Sequence, residues 1–152
     1  MSNIYYPLDN AAKIYTAAMN KKWNSVFNVS VYLKIKVNPA LLKLAVRELA
    51  PRFPTFYTQL HKGFFWDYLI PATDFDIVSE ATDYPCRPIA VGQGKKPMFR
   101  VLYSDNKITA EFFHSVTDGT GAITYLKTLT ARYIELAGGT IEKTNGVLDP
   151  NE

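Results

Sequence analysis

Over residues 27–37, apolar and polar side chains alternate. Phe27, Val29, Val31, Leu33, Ile35 and Val37 fall on one side; Asn28, Ser30, Tyr32, Lys34 and Lys36 fall on the other. A period of two predicts a long strand with one face buried. The period then lengthens. Leu41, Leu42, Leu44, Ala45 and Leu49 follow helical spacing. Asn38 is a candidate N-cap, Pro39 fits the first turn, and Pro51 and Pro54 end the helix. A shorter helical pattern covers residues 10–20, with Asp9 as its cap and Ala12, Ile14, Tyr15 and Ala18 as its apolar stripe.

Residues 55–70 read as a hairpin turning near Lys62 and Gly63, and residues 98–114 as a second hairpin about Asp105 and Asn106. Between them, residues 71–97 hold Pro71, Pro85, Pro88, Pro97, Gly92 and Gly94, which predicts a loop. A last helix is expected over 120–136, with Ile123, Leu126, Leu129, Tyr133 and Ile134 facing inward and Gly138-Gly139 stopping it. The order helix, strand, helix, hairpin, loop, hairpin, helix predicts an α/β sandwich, a mixed and largely antiparallel sheet packed with helices. The division expected is a domain over 1–139 and a polar tail over 140–152.

Composition refines this picture in a few places. The 152 residues suit one domain, and the balance of 47% hydrophobic to 20% charged residues is that of a soluble globular chain. A net charge of +3 is too small to point to nucleic acid. The charge is uneven, however: +7 over residues 1–62 and −4 over residues 63–152. Such asymmetry marks either a partner surface or ordinary solvated faces. Cys86 is alone, which excludes an intrachain disulfide and fits a reducing compartment. The first residues lack a basic region followed by an apolar run, and no apolar run approaches the ~20 residues of a membrane span. The expectation is a cytoplasmic protein without a membrane span.

The candidate chemistry sits in "AEFFHSVTDGTGAITYL", residues 110–126. Here a strand with Ile108, Ala110 and Phe112 on one face and Thr109, Glu111 and Phe113 on the other ends at His114, one of only two histidines. An imidazole at a strand end can be held by packing and still reach a cleft. Its ordinary pKa, about 6.5, lets it accept a proton near neutrality. Asp118 stands where a carboxylate caps the next helix, and Gly119 leaves room for a ligand or backbone to approach. Other chemistries fit less well. A zinc site needs three or four ligands; only His114 and Asp118 are close, and His61 and Cys86 lack ligand spacing. Ser115 adjoins the histidine and is badly placed as its nucleophile, and no G-x-S-x-G elbow exists. Gly119-x-Gly121 begins a dinucleotide loop, but Thr124 stands where the third glycine belongs. On these residues alone, a strand-end histidine beside a capping aspartate stays open beside the catalytic reading.

His114, Ser115, Val116, Thr117, Asp118 and Gly119 resemble the H-x-x-x-D-G motif of the chloramphenicol acetyltransferase-like superfamily, which includes condensation domains and alcohol acetyltransferases. The context is similar too. "KKPMFRVLY" resembles the family's strand before the motif, at Pro97, Met98, Phe99, Arg100 and Val101. Arg52, Phe53 and Pro54 look like its Arg-x-Pro turn, and "YYPLDNAAKIY" is similar to the start of alcohol acetyltransferase-like members.

The resemblance implies that His114 is a general base. It would take a proton from a hydroxyl or amine acceptor that attacks an acyl thioester, with acyl-CoA as co-substrate and no permanently bound cofactor. It implies that Asp118 is structural and pairs with an arginine, for which Arg100 is the candidate, and that Gly119 keeps a channel open. Phe113 stands where condensation domains usually carry a first histidine, which points away from peptide synthesis and toward the alcohol or carbohydrate acyltransferase branch, with an acetyl group as the expected cargo. Family members are much longer and hold their site between two related halves. The chain resembles the N-terminal half, so the resemblance implies a missing C-terminal half as partner or, for this chain alone, a homodimer covering the same surface. A binding or assembly module of the same fold, docking an acyl carrier or partner half, is the alternative. Lys95 and Lys96 are candidates for the phosphates of coenzyme A or an ordinary solvated loop, and His61 reads as a hairpin residue.

Overall fold

A computed structural model describes residues 6–17, 25–142 and 147. In chain order the elements are β1 (Tyr6–Pro7), α1 (Asn10–Ala17), β2 (Val26–Tyr32), α2 (Pro39–Glu48), β3 (Thr58–His61), β4 (Tyr68–Pro71), β5 (Val78–Glu80), β6 (Phe99–Ser104), β7 (Lys107–Phe113) and α3 (Gly119–Leu136). The strands form two sheets rather than one. The larger runs β2-β7-β6-β5 and the smaller β1-β4-β3. The larger is mixed, because β5 pairs in parallel with β6 while the other neighbours are antiparallel. The α/β sandwich expected from the sequence is therefore present, with a second small sheet beside it.

Both hairpins form as expected. β6 and β7 turn through Asp105 and Asn106, and Asp105 takes a left-handed φ of 39°. β3 and β4 pair from Thr58↔Pro71 to His61↔Tyr68, leaving residues 62–67 as the tip. Gly63 is required there, since a Cβ would lie 2.2 Å from the Trp66 carbonyl oxygen. Asn38 caps α2 by accepting from the Ala40 and Leu41 N–H groups, with Pro39 at the first helical position.

Several expectations shift. The strand over 27–37 ends at Tyr32. Beyond it the chain bends, the Leu33 and Val37 N–H groups donate to the Asn106 and Asp105 carbonyls, and Ile35 is exposed while Val37 is buried. Residues 71–97 are not all loop, because they contain β5. Three apolar residues assigned to inward helix faces, Ile14, Leu44 and Ile123, are exposed. In α2 the buried face is Leu42, Ala45 and Val46, and in α3 it includes Ala122, Tyr125, Leu126, Leu129 and Tyr133. In α2 and α3 each exposed residue lies one position from a buried one, Leu44 beside Ala45 and Ile123 beside Ala122. The end of the first helical pattern, including Ala18, lies outside the described residues, as does most of the tail after residue 142.

The main core lies between the larger sheet and helices α2 and α3. Phe99, Val101, Ile108, Ala110 and Phe112 meet Leu42, Val46, Leu49, Tyr125 and Leu129 there. Tyr57 and Tyr125 put polar tips into this core and satisfy each other: their hydroxyls lie 2.8 Å apart, and the Tyr57 hydroxyl donates to the Val46 carbonyl. Burial raises the pKa of both phenols well above the ordinary value, so both remain neutral. A second cluster, Leu8, Ala12, Leu60, Leu69, Met98 and Phe113, joins α1 and the small sheet to the end of β7.

The other face of β7 is covered as well. Arg100 and Glu111 are cross-strand partners, and their charges meet at 2.6 Å with Glu111 almost fully buried. Glu111 also accepts the Cys86 N–H, while Arg100 donates to the Arg87 and Pro88 carbonyls. The pair thus clasps residues 86–88 onto the sheet. Removing one partner of a buried pair leaves the other charge uncompensated. Glu111→Ala should lower stability by about 3 kcal/mol in urea unfolding. The double replacement Glu111→Met/Arg100→Met should cost less than either single change.

Candidate functional site

Pairing between β2 and β7 runs up to Val26↔Phe113. The next residue, His114, continues the edge by donating its N–H to the Ser25 carbonyl at 2.7 Å. The imidazole is half-buried and held between aromatic rings. Tyr15 stacks on it at 4.3 Å between centroids and 12° between planes, and Phe27 lies tilted at 4.8 Å. Tyr15 comes from α1, far away in sequence, and nothing in the local pattern pointed to it as a neighbour of His114.

Past His114 the chain turns tightly, with the Val116 N–H donating to the Phe113 carbonyl. The Ser115 hydroxyl donates to the Ala12 carbonyl at 2.9 Å, so this serine ties α1 to the turn. Asp118 is the N-cap of α3: its backbone is extended, with φ −88° and ψ −177°, and its carboxylate accepts the Gly121 N–H at 2.8 Å. Gly119 opens outward, for a Cβ there would meet nothing within 4 Å. Gly121 is the more closely packed of the two, because a Cβ there would come within 2.0 Å of the Thr117 hydroxyl oxygen and displace it.

Arg100 is not the partner of Asp118. Its register position opposite Glu111 commits its guanidinium to that carboxylate. Asp118 is instead an exposed cap.

Cys86 sits at a φ of 52° with its thiol accepting from the Asn28 amide at 3.2 Å. Burial, the largest influence, raises its pKa, so it is not an activated nucleophile. His61 is exposed at the end of β3, against the Tyr68 ring. Among the described residues no group of three or more His, Cys, Asp and Glu side chains comes together as a metal site.

Two clefts are formed among the described residues. One, of about 670 Å³, lies along β5 and β6 and is lined by Gln59, Asp76, Ser79, Lys95, Lys96 and Arg100 among others. Lys96 is tied down there by donating to the Asp76 carbonyl at 2.7 Å. The other, of about 650 Å³, lies between α1 and the small sheet, lined by Leu8, Lys13, Leu60, Lys62 and Trp66. Neither is lined by His114. At the tip of the β3–β4 hairpin, Phe64, Phe65 and Trp66 are 93%, 82% and 70% exposed. Their rings touch one another and form one apolar patch. No described helix is long and apolar enough to cross a membrane.

No family model matches the chain, and no curated protein does. Solved structures do. The starter condensation domain of rhizomide synthetase RzmA is 18% identical, with a TM-score of 0.67 over 93% of this chain and 40% of that one. A variant of that domain in complex with C8-CoA is 19% identical, with a TM-score of 0.67 over 91% of this chain and 38% of that one. The X-domain from teicoplanin biosynthesis is 13% identical, with a TM-score of 0.63 over 95% of this chain and 35% of that one. At these identities the likeness is one of fold, and the chain spans about two fifths of the length of the domains it matches. The chain has the fold of these condensation domains, over about two fifths of their length.

Proposed function

We propose that the chain is the N-terminal part of a coenzyme-A-dependent acyltransferase in which His114 is the general base. The observation that carries this reading is the His114 imidazole, held at the end of β7 by aromatic faces beside a capped, glycine-opened helix start. The imidazole takes a proton from an acceptor hydroxyl or amine. The acceptor then attacks the thioester carbonyl, the C–S bond breaks, and the thiolate leaves and takes up the proton. Asp118 serves the architecture by capping α3, and Gly119 leaves the approach open.

Phe113 supports an alcohol acetyltransferase type, with an acetyl group as cargo. It is buried in the second core, so the position preceding the base is committed to packing. The complex of the RzmA variant with C8-CoA supports an acyl-CoA thioester as the donor. The domain proposed is 1–139, with 140–152 leading toward a second half. The lone Cys86 supports a reducing, cytoplasmic setting.

The exposed Phe64, Phe65 and Trp66 support a covering polypeptide. Aromatic side chains bury on the order of 150–250 Å² each, so this tip is comparable to the largest apolar patch of a typical monomer, which is often an interaction site. In the whole protein the cover is the second half; for this chain alone it is a second copy. The alternative, a non-catalytic module that docks an acyl carrier or partner half, is favoured by one observation: the exposed aromatic tip offers a docking surface that takes no part in acyl transfer.

In the complete two-half protein, His114→Ala should lower turnover about 10²–10⁴-fold in an acyl-CoA thioester-cleavage assay. Wild-type rates from the folded variant would remove the assignment. Asp118→Ala should lower stability by roughly 0.5–2 kcal/mol by thermal or urea unfolding, the usual cost of losing a cap. The chain by itself should be catalytically silent and dimeric by light scattering. A strict monomer at high concentration excludes the self-association, and robust transfer by this chain alone excludes the half-site reading.

A further inference from the structure

We infer that Tyr15 is a positioning residue for His114 and that Ser115 holds it in place. Four contacts close a ring. His114 is bonded to Ser115 along the chain; the Ser115 hydroxyl donates to the Ala12 carbonyl at 2.9 Å; Ala12 and Tyr15 lie three residues apart on α1; and the Tyr15 ring stacks on the imidazole at 4.3 Å and 12°. Residues three apart on a helix share a face, so the turn that Ser115 grips is the turn that carries Tyr15.

The helix cannot drift from this position without loss elsewhere. Asp9 caps it by accepting the Ala12 N–H at 2.7 Å, and Leu8 and Ala12 are buried against Met98 and Phe113 in the second core. Phe27, on β2, meets the imidazole from another side at 4.8 Å and 48°. The imidazole is therefore caught between a ring from the N-terminal helix and a ring from the sheet. A stacked face restricts rotation about the last side-chain bond and leaves the ring edge, which carries both nitrogens, as the reactive part. Ring faces hold the base without hydrogen-bonding its nitrogens, while the Tyr15 ring screens one side of the imidazole from bulk reagent, and catalysis depends on such positioning because a 1 Å displacement can cost about 10²-fold. This assigns work to Ser115, whose place beside the histidine excluded it as the nucleophile.

The catalytic half of this inference rests on His114 being the base; the geometric half does not. The test uses the chain itself and diethyl pyrocarbonate, which acylates accessible imidazole nitrogens. The chain has two histidines, and exposed His61 is an internal reference for His114. Peptide mass analysis gives the ratio of the two modification rates. Tyr15→Leu should raise the His114 rate severalfold relative to His61. Tyr15→Phe, which keeps the ring, should stay near wild type, and Ser115→Ala should fall between.

An unchanged ratio in Tyr15→Leu, with native circular dichroism, overturns the inference. So does a Tyr15→Phe ratio equal to that of Tyr15→Leu, since the hydroxyl and not the ring face would then be responsible. In the complete protein, Tyr15→Leu should lower kcat by about 10–10²-fold and leave KM unchanged. If His114→Ala abolishes turnover while Tyr15→Leu leaves kcat intact, the positioning role is overturned. If His114→Ala is harmless while the modification ratios come out as expected, the general-base reading fails and the ring clamp stands.

Discussion

Strand β7 is buried on both faces, and the rest of the molecule is arranged around that constraint. Ile108, Ala110 and Phe112 point into the core under α2 and α3, whereas Phe113 enters the second core with Leu8, Ala12 and Met98. Glu111, between them in sequence, cannot be buried as a lone carboxylate, so Arg100 and the Cys86 N–H gather around it. Burying a charge is tolerable only when it is paired and hydrogen-bonded. That requirement brings residues 86–88 down over the outer face, and the alternation of two cores and one clasp along a single strand fixes where His114 emerges.

Much of this was legible in the sequence, and the successes share a cause. The β6–β7 hairpin, the helix after it and the caps Asn38 and Asp118 are local features. Each depends on a period, a turn residue or a side chain that reaches three positions along the chain. The failures are equally of one kind. β5 has three residues and no alternation of its own; it exists because β6 offers it an edge. Arg100 was matched to Asp118 by analogy, but the partner of a strand residue is set by register, and register put Glu111 opposite it. Ile14, Leu44 and Ile123 are apolar residues one step off the buried stripe, and only the neighbouring elements decide which side of a helix is inward.

The candidate site divides along the same line. His114, Asp118 and Gly119 were visible as a local motif. Tyr15 and Phe27 were visible only as members of an apolar stripe and an alternating strand, because their contact with the imidazole is tertiary. The fold likeness to condensation domains speaks to the scaffold on which these residues sit. What they do there is a matter of the imidazole, its aromatic neighbours and the surface still to be covered.

The turn at Asp105 and Asn106 acts as a gauge for the distant motif. Asp105 adopts a left-handed backbone, and the carbonyls of the two turn residues also receive Val37 and Leu33. A two-residue connection admits one phase of pairing between β6 and β7. One residue more or less would send Phe112 and Phe113 each toward the other's core and turn the imidazole away from Tyr15. The orientation of the histidine is thus metered out from the far end of the hairpin, in whole-residue steps, by a turn that never approaches it.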